Sequence, residues 1–194
     1  MNREMVKERL RKEFKTYGKL IIAYDFDYTV HNYREGDNYT YDFVVDLLRK
    51  WRPYSYLIVF TASYLERFNY IRNYLNENNI PFDKINEEVI DRGYSRKIYY
   101  NVFLDDRAGL GETAEILMEL YEEIIEFAIQ NVETLIKKQV KVIIIACGTA
   151  TSQALDTLKE KFDIPIIGII EPTVDYLQKN VKNKETIGVI ATQG

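Results

Sequence analysis

The sequence has little cysteine, little net charge and no long apolar run, and each shortage excludes a class of protein. One cysteine in 194 residues, Cys147, allows no internal disulfide and is typical of a reducing compartment. The formal net charge of −4 argues against electrostatic binding to a nucleic acid polymer. The apolar runs are too short to cross a membrane, and the charged N-terminus lacks the apolar centre of a signal peptide. We therefore expect a cytoplasmic protein with neither a membrane nor a nucleic acid partner.

No linker rich in glycine, proline or serine separates the two halves of the sequence. The amino-acid composition nevertheless changes near the middle. Periodicity in the first half predicts helices over 2–16, 41–51 and 65–78, and strands over 20–24, 56–60, 82–90 and 98–104. The second half predicts helices over 114–138, 151–162 and 172–181, with a loop over 147–150, and strands over 140–146, 164–169 and 186–191. This order predicts an α/β fold with parallel sheets, in two domains over 1–124 and 125–194.

Polar side chains stand where three of the predicted strands end. Asp25 and Asp27 follow the first strand, Thr61 follows the second, and Asp105 and Asp106 follow the last strand of the first half. The carboxyl ends of parallel strands share one edge of a sheet, so these side chains are expected to converge. Two carboxylates two residues apart repel each other unless a cation or a proton lies between them, which favours a hard metal ion. The alternative is a polar turn in which an aspartate caps the next helix.

The first half resembles the haloacid dehalogenase-like hydrolases over about residues 19–121. The resemblance is carried, in order, by Asp25–Val30, Phe60–Ser63, Lys97 and Val102–Asp106. It implies the Rossmann-like parallel sheet of that family's core. It also implies a magnesium-dependent phosphomonoester hydrolase that acts through an aspartyl-phosphate intermediate.

The same resemblance assigns roles to individual residues. It implies catalytic roles for Asp25, Asp27, Thr61 and Lys97, and a Mg²⁺ ion bound by Asp25, by the main-chain carbonyl of Asp27, by Asp105, and by Asp106 directly or through water. Asp25 is the expected nucleophile, and Asp27 the general acid and base. Arg96 is the alternative to Lys97 as the cation that binds the phosphoryl group.

The spacing between these motifs bears on the expected substrate. About thirty residues separate Thr29 from Thr61, and a loop and one helix fill them. The interval from Thr61 to Lys97 holds one helix and one weak strand, so neither interval has room for a cap domain. Within this family an uncapped site implies an open one, and the acidic chain favours a nucleotide or another small phosphate ester over a long polyanion.

The second half resembles part of the first domain of glutamate racemase over about residues 123–194. The segments 140–150, 164–172 and 187–192 carry the resemblance. Those racemases need no cofactor and use two cysteines, of which Cys147 matches the first, while Thr149 is a candidate for binding an anion. Gly148 stands where the family has asparagine, and no second cysteine follows, so the expectation is an incomplete parallel βαβαβ segment without racemase activity.

Two alternatives to the phosphatase hypothesis stay open. One is a racemase-like protein that uses Cys147, and the other is a non-catalytic fusion or scaffold protein, whether natural or engineered. A half sheet leaves apolar faces or edges uncovered, so a homo-oligomer formed through the second half is also expected.

Overall fold

The computed structural model describes residues 2–32, 39–90, 97–146 and 148–180. The chain divides into two compact units, Met1–Tyr121 and Glu122–Gly194. The first unit opens with helix α1 (Arg3–Tyr17), which confirms the helix predicted over 2–16. The Asn2 side chain accepts a hydrogen bond from the Met5 N–H at the start of α1, and Gly18, with φ of 72°, ends the helix in the left-handed conformation.

A parallel four-stranded sheet forms the centre of the first unit. Its strands are β1 (Leu20–Tyr24), β2 (Ser55–Val59), β3 (Lys84–Ile85) and β4 (Val102–Leu104), and their order across the sheet is β3-β2-β1-β4. All five side chains of β1 are buried, as its purely apolar composition predicts. The strand predicted over 82–90 is only two residues long, because Asn86 adopts a φ of 51° that an extended strand does not tolerate.

Helices α2 (Tyr39–Trp51) and α3 (Phe68–Glu77) and the first part of α4 (Leu110–Lys137) complete the first unit. Trp51 is fully buried, and its indole N–H donates a hydrogen bond to the Leu117 carbonyl at 2.9 Å. Phe14 and Tyr54 contact the Trp51 ring edge to face, with centroids 6.0 and 6.1 Å away. Many of the aromatic residues of the first half therefore serve packing.

The second unit contains the rest of α4, strand β5 (Ile143–Ile145), helix α5 (Gly148–Lys161), strand β6 (Ile166–Gly168) and helix α6 (Ile170–Asn180). Strands β5 and β6 are parallel. The core consists of six buried apolar residues, Val132, Ile143, Ala154, Leu155, Leu158 and Ile166. The strand predicted over 140–146 begins later, because Gln139 adopts a φ of 57° and leads into it through a turn. The strand predicted over 186–191 lies outside the described residues.

The structure is thus a mixed α/β fold with parallel sheets. Within the described ranges, no helix combines the length and the apolar composition needed to cross a membrane.

Candidate functional site

A cavity of about 720 Å³ opens at the carboxyl edge of the first sheet. Its charged and hydroxyl-bearing walls are Asp25, Asp27, Thr61, Ser63, Arg67, Asp105 and Arg107, and its aromatic walls are Tyr28, Phe60, Tyr64 and Phe103. The strand ladders place them there, since the Asp25 N–H donates to the Leu104 carbonyl and the Phe60 N–H donates to the Tyr24 carbonyl. We refer to this feature as the first-unit cavity.

Asp27 is held by an arginine from the segment that follows β2. The Arg67 guanidinium donates to both carboxylate oxygens of Asp27, at 2.7 and 2.9 Å, and to the Ser63 hydroxyl at 3.0 Å. The same guanidinium lies over the Phe26 ring, 5.5 Å from its centroid. A bidentate pair of this kind fixes the direction of the Asp27 side chain and neutralises its charge.

Asp25 occupies a different electrostatic environment. The pKa of the Asp25 carboxyl is raised to about 6, mainly by burial; the Phe26 backbone N–H lowers it, and the carboxylates of Asp105, Asp27 and Asp106 add to the rise. Within the described residues, no lysine or arginine forms an ion pair with Asp25. This carboxylate is therefore surrounded by charge of its own sign.

Two more of the predicted site residues also reach the first-unit cavity. The Thr61 side chain is buried, and its hydroxyl lies 3.2 Å from that of Ser63. One Asp105 carboxylate oxygen accepts a hydrogen bond from the Arg107 backbone N–H at 2.7 Å, which fixes the turn after β4.

The remaining predicted residues of the first half lie elsewhere. Asp106 is not among the residues that line the first-unit cavity, and its backbone N–H donates to the Thr29 hydroxyl at 3.1 Å. Lys97 is exposed and is also absent from the lining. Arg96, the alternative cation, lies outside the described residues.

Arg67, like Arg107 and Tyr64, is a residue of this site that the sequence patterns did not single out. It lies in the helical segment after β2, where the sequence pattern indicates only an ordinary solvent-exposed charged side chain. The only signal was its position six residues after Thr61, near the start of a helix that follows a polar strand end. Its partner Asp27 is 40 residues away in the chain, so no local pattern joins the two.

The donor set of the first-unit cavity does not fit the predicted Mg²⁺ ion. Both carboxylate oxygens of Asp27 accept hydrogen bonds from Arg67, so this side chain is engaged by a cation of the protein itself. Over the ranges that the structure describes, no group of three or more His, Cys, Asp or Glu side chains is placed to hold a metal ion. The predicted magnesium site, with Asp25, Asp27, Asp105 and Asp106 as ligands, is therefore wrong.

In the second unit, a threonine ties the carboxyl ends of the two strands together. The Thr151 hydroxyl donates to the Ile145 carbonyl at 3.1 Å, and it lies 3.4 Å from the Ile169 backbone N–H. Gly168 permits this approach, because a Cβ atom there would lie 2.1 Å from the Thr151 methyl group. Cys147 and the side chain of Thr149, the two racemase-like candidates, lie outside the described residues.

The match to a family model covers the C-terminal part of the chain, including the second unit. Residues 118–194 match the family model of Asp/Glu/Hydantoin racemase. Glutamate racemase from Fusobacterium nucleatum is 43% identical over 96 residues, which are 50% of this chain and 33% of that enzyme. Glutamate racemase from Lactococcus lactis strain IL1403 is 52% identical over 73 residues, which are 37% of this chain and 26% of that enzyme. The chain thus spans between a quarter and a third of the length of these relatives.

One solved structure is also similar to this chain. It is that of a conserved protein from Bacteroides thetaiotaomicron, with 25% sequence identity and a TM-score of 0.44. The match covers 54% of this chain and 91% of that protein.

The magnesium-dependent phosphatase predicted from the first half is overturned by these findings. The homologues are glutamate racemases, which are isomerases and not hydrolases, and their family needs no metal cofactor. The geometry of the first-unit cavity agrees with this correction. Asp27, the expected proton donor, accepts two hydrogen bonds from Arg67, and Lys97 does not line the cavity. The C-terminal part of the chain matches the Asp/Glu/Hydantoin racemase family and has homologues among the glutamate racemases.

Proposed function

We propose that the chain is a racemase-like protein whose second unit removes the α-proton of an acidic amino acid without a cofactor. Cys147 is the proposed base. The observation that carries the proposal is the match of residues 118–194 to the Asp/Glu/Hydantoin racemase model, together with relatives that are glutamate racemases.

The position of Cys147 in the chain supports this role. It stands between the end of β5 at Ile145 and the start of α5 at Gly148. Ligands of parallel α/β sheets bind outside the carboxyl ends of the strands. A helix N-terminus lowers the pKa of a nearby thiol and favours the thiolate, which is the form that can accept a proton.

In the proposed reaction, the Cys147 thiolate accepts the α-proton and the electron pair of the C–H bond stays on the substrate. The resulting carbanion is protonated again by the thiol. A thiol on one face of the α-carbon returns a proton to that same face. Since the sequence contains one cysteine, the simplest expectation is exchange of the α-proton with solvent and retention of configuration.

Deuterium exchange tests the proposal directly. The full chain is incubated with L-glutamate in D₂O, and the α-proton signal is followed by nuclear magnetic resonance. We expect the signal to decay with the wild-type protein. The Cys147→Ala variant should slow the decay by at least about 100-fold, the scale of a lost general base.

A matched control uses Thr134→Ala, which removes an exposed hydroxyl that bonds to the Gln130 carbonyl in α4. This variant should exchange the α-proton at the wild-type rate. The proposal fails if the wild-type protein causes no exchange, or if Cys147→Ala exchanges as fast as the wild type. Circular dichroism of each variant shows whether a lost rate reflects a lost fold.

For the first unit we propose only a fold relationship, that of a haloacid dehalogenase-like core over about residues 19–121. The strand order β3-β2-β1-β4 and the polar residues after β1, β2 and β4 support it. Hydrolysis of phosphate esters is not part of this proposal. Superposition of an experimental structure of the first unit on such cores tests it, and a different strand order would contradict it.

A further inference from the structure

The charged side chains that the structure shows lining the first-unit cavity do not sum to zero. Asp27 and Arg67 neutralise each other through their bidentate pair. Among the described residues that line the cavity, Asp25, Asp105 and Arg107 remain, which leaves an excess of one negative charge. Within the described residues, no cationic side chain forms an ion pair with Asp25 or Asp105. The cavity is therefore electrostatically prepared for a cation.

The two remaining carboxylates are neighbours on adjacent strands. Tyr24 of β1 pairs with Leu104 of β4, so the residues that follow them, Asp25 and Asp105, leave the sheet side by side. The hydrogen bond from the Asp25 N–H to the Leu104 carbonyl, at 2.9 Å, fixes this register. Adjacent strands lie about 4.8 Å apart, a spacing at which one positively charged group can contact both carboxylates.

The walls around these carboxylates are aromatic. The Phe60 and Phe103 rings contact each other edge to face, with centroids 5.5 Å apart. Tyr28 and Tyr64 add two further rings, of which Tyr64 is 84% exposed. Aromatic faces attract organic cations and exclude water from their apolar parts, whereas a hydrated metal ion gains little from them.

The size of the cavity selects between kinds of cation. A volume of about 720 Å³ falls within the range of pockets for small organic molecules and far exceeds that of a single ion. An organic ammonium ion carries the positive charge that the carboxylates attract and an apolar body that can pack against the aromatic walls.

We propose that the first-unit cavity binds a small organic molecule through a protonated amine, with the ammonium group between Asp25 and Asp105 and its apolar body against Phe60 and Phe103. The molecule is either a free amine or an amino acid. Arg107 distinguishes the two sources, because its guanidinium can pair with the carboxylate that only the amino acid carries. This inference is independent of Cys147 and of the proposed racemase function.

Isothermal titration calorimetry of the full chain tests the proposal with three probes of similar shape. Phenethylamine carries only the ammonium group, 3-phenylpropionate carries only a carboxylate, and phenylalanine carries both. We expect phenethylamine to bind and 3-phenylpropionate not to bind. Asp105→Asn should weaken phenethylamine binding at least about tenfold, the effect of removing one partner of a partly buried charge pair. Asparagine keeps an oxygen that can accept the Arg107 N–H, so the turn is preserved.

Asp46→Asn is the matched control, since Asp46 lies on α2 with 63% of its side chain exposed and does not line the cavity. It should leave the affinity for phenethylamine unchanged. The proposal is overturned if phenethylamine does not bind, or if its affinity is the same in the wild type, Asp25→Asn and Asp105→Asn. Tighter binding of phenylalanine that Arg107→Gln abolishes identifies an amino acid as the ligand, and equal binding of both probes identifies a free amine.

Discussion

At the scale of single residues, Asp25 is a carboxyl group whose pKa burial raises well above its ordinary value. It follows a fully buried strand, so its backbone position is fixed, and three other aspartates raise the pKa that burial has already raised. The nearby Asp27 has a guanidinium partner and Asp25 has none within the described residues. The two aspartates of one short motif therefore have different electrostatic environments.

The pKa of Asp25 makes the stability of the protein depend on pH. The folded state holds the Asp25 proton up to about pH 6, while the unfolded chain releases it near 3.8. The folded state binds more protons between these values, so the contribution of Asp25 to the free energy of unfolding falls as the pH rises through this window. Because the carboxyl is only partly buried, we expect an effect on the order of 1 kcal/mol, well below the full linkage value.

The Asp25→Asn variant should therefore be more stable than the wild type at about pH 7.5 and lose that advantage at about pH 4.5. Urea unfolding at the two pH values measures the difference. The exposed-site variant Asp46→Asn serves as the reference for removing a carboxylate. A difference between Asp25→Asn and the wild type that does not change with pH would contradict the prediction.

At the scale of secondary-structure elements, the closest approach in the second unit is that of α5 to β6. Thr151 on α5 reaches the end of β5 through its hydroxyl, and its methyl group lies against the backbone of Gly168 on β6. Leu155, one turn later on α5, also lies 3.0 Å from the position of a Cβ atom at residue 168. There is no room for a side chain at this position.

The Gly168→Ala variant should therefore destabilise the second unit by about 1–3 kcal/mol, the usual cost of overpacking. Combination with Thr151→Ser removes the clashing methyl group but keeps the hydroxyl that bonds to the Ile145 carbonyl, so part of the loss should be recovered. Hydrogen exchange of the amides of β5, β6 and α5 reports the stability of this unit specifically.

Gly111→Ala is the control for this pair, since a Cβ atom at residue 111 of α4 meets nothing within 4 Å. Alanine in a helix interior is favoured over glycine, so this variant should be neutral or slightly stabilising. Equal effects of the substitutions at Gly111 and Gly168 would show that the close approach does not limit residue 168.

At the scale of the whole molecule, the second unit exposes large apolar side chains from its two-stranded sheet. Residues alternate along each strand: Ile143 and Ile166 are buried in the core, whereas Ile144 is 65% exposed and Ile167 is 43% exposed. Contiguous exposed apolar surface on a sheet is typical of a surface that associates with another protein. Self-association through the second unit therefore stays a prediction.

Sedimentation velocity over a range of protein concentrations tests that prediction. We expect the wild type to associate, and the double substitution Ile144→Thr and Ile167→Thr to weaken association, because threonine keeps the strand preference and removes apolar surface. Leu65→Thr, which changes a residue of the first unit that is 78% exposed, should leave association unchanged. A wild-type protein that sediments as a monomer at every concentration would contradict the prediction.

The sequence alone determined the elements that depend on local composition. The run 20–24 is apolar and too short for a typical helix, which predicts a buried strand, and the structure confirms it. The caps at Asn2 and Gly18 bound α1 because their preferences act within a few residues. The convergence of Asp25, Thr61 and Asp105 also followed from the sequence, since parallel strands end at a common edge.

Only the tertiary structure decided which partner each of these groups has. The Arg67 and Asp27 pair joins residues 40 positions apart, and it engages both carboxylate oxygens of the side chain that was the expected proton donor. The contact of Thr151 with Gly168 likewise depends on how a helix packs on a strand. Hydrophobic periodicity acts along the chain and can be read from it, whereas the pairing of charges and the fit of side chains depend on distances that exist only after folding.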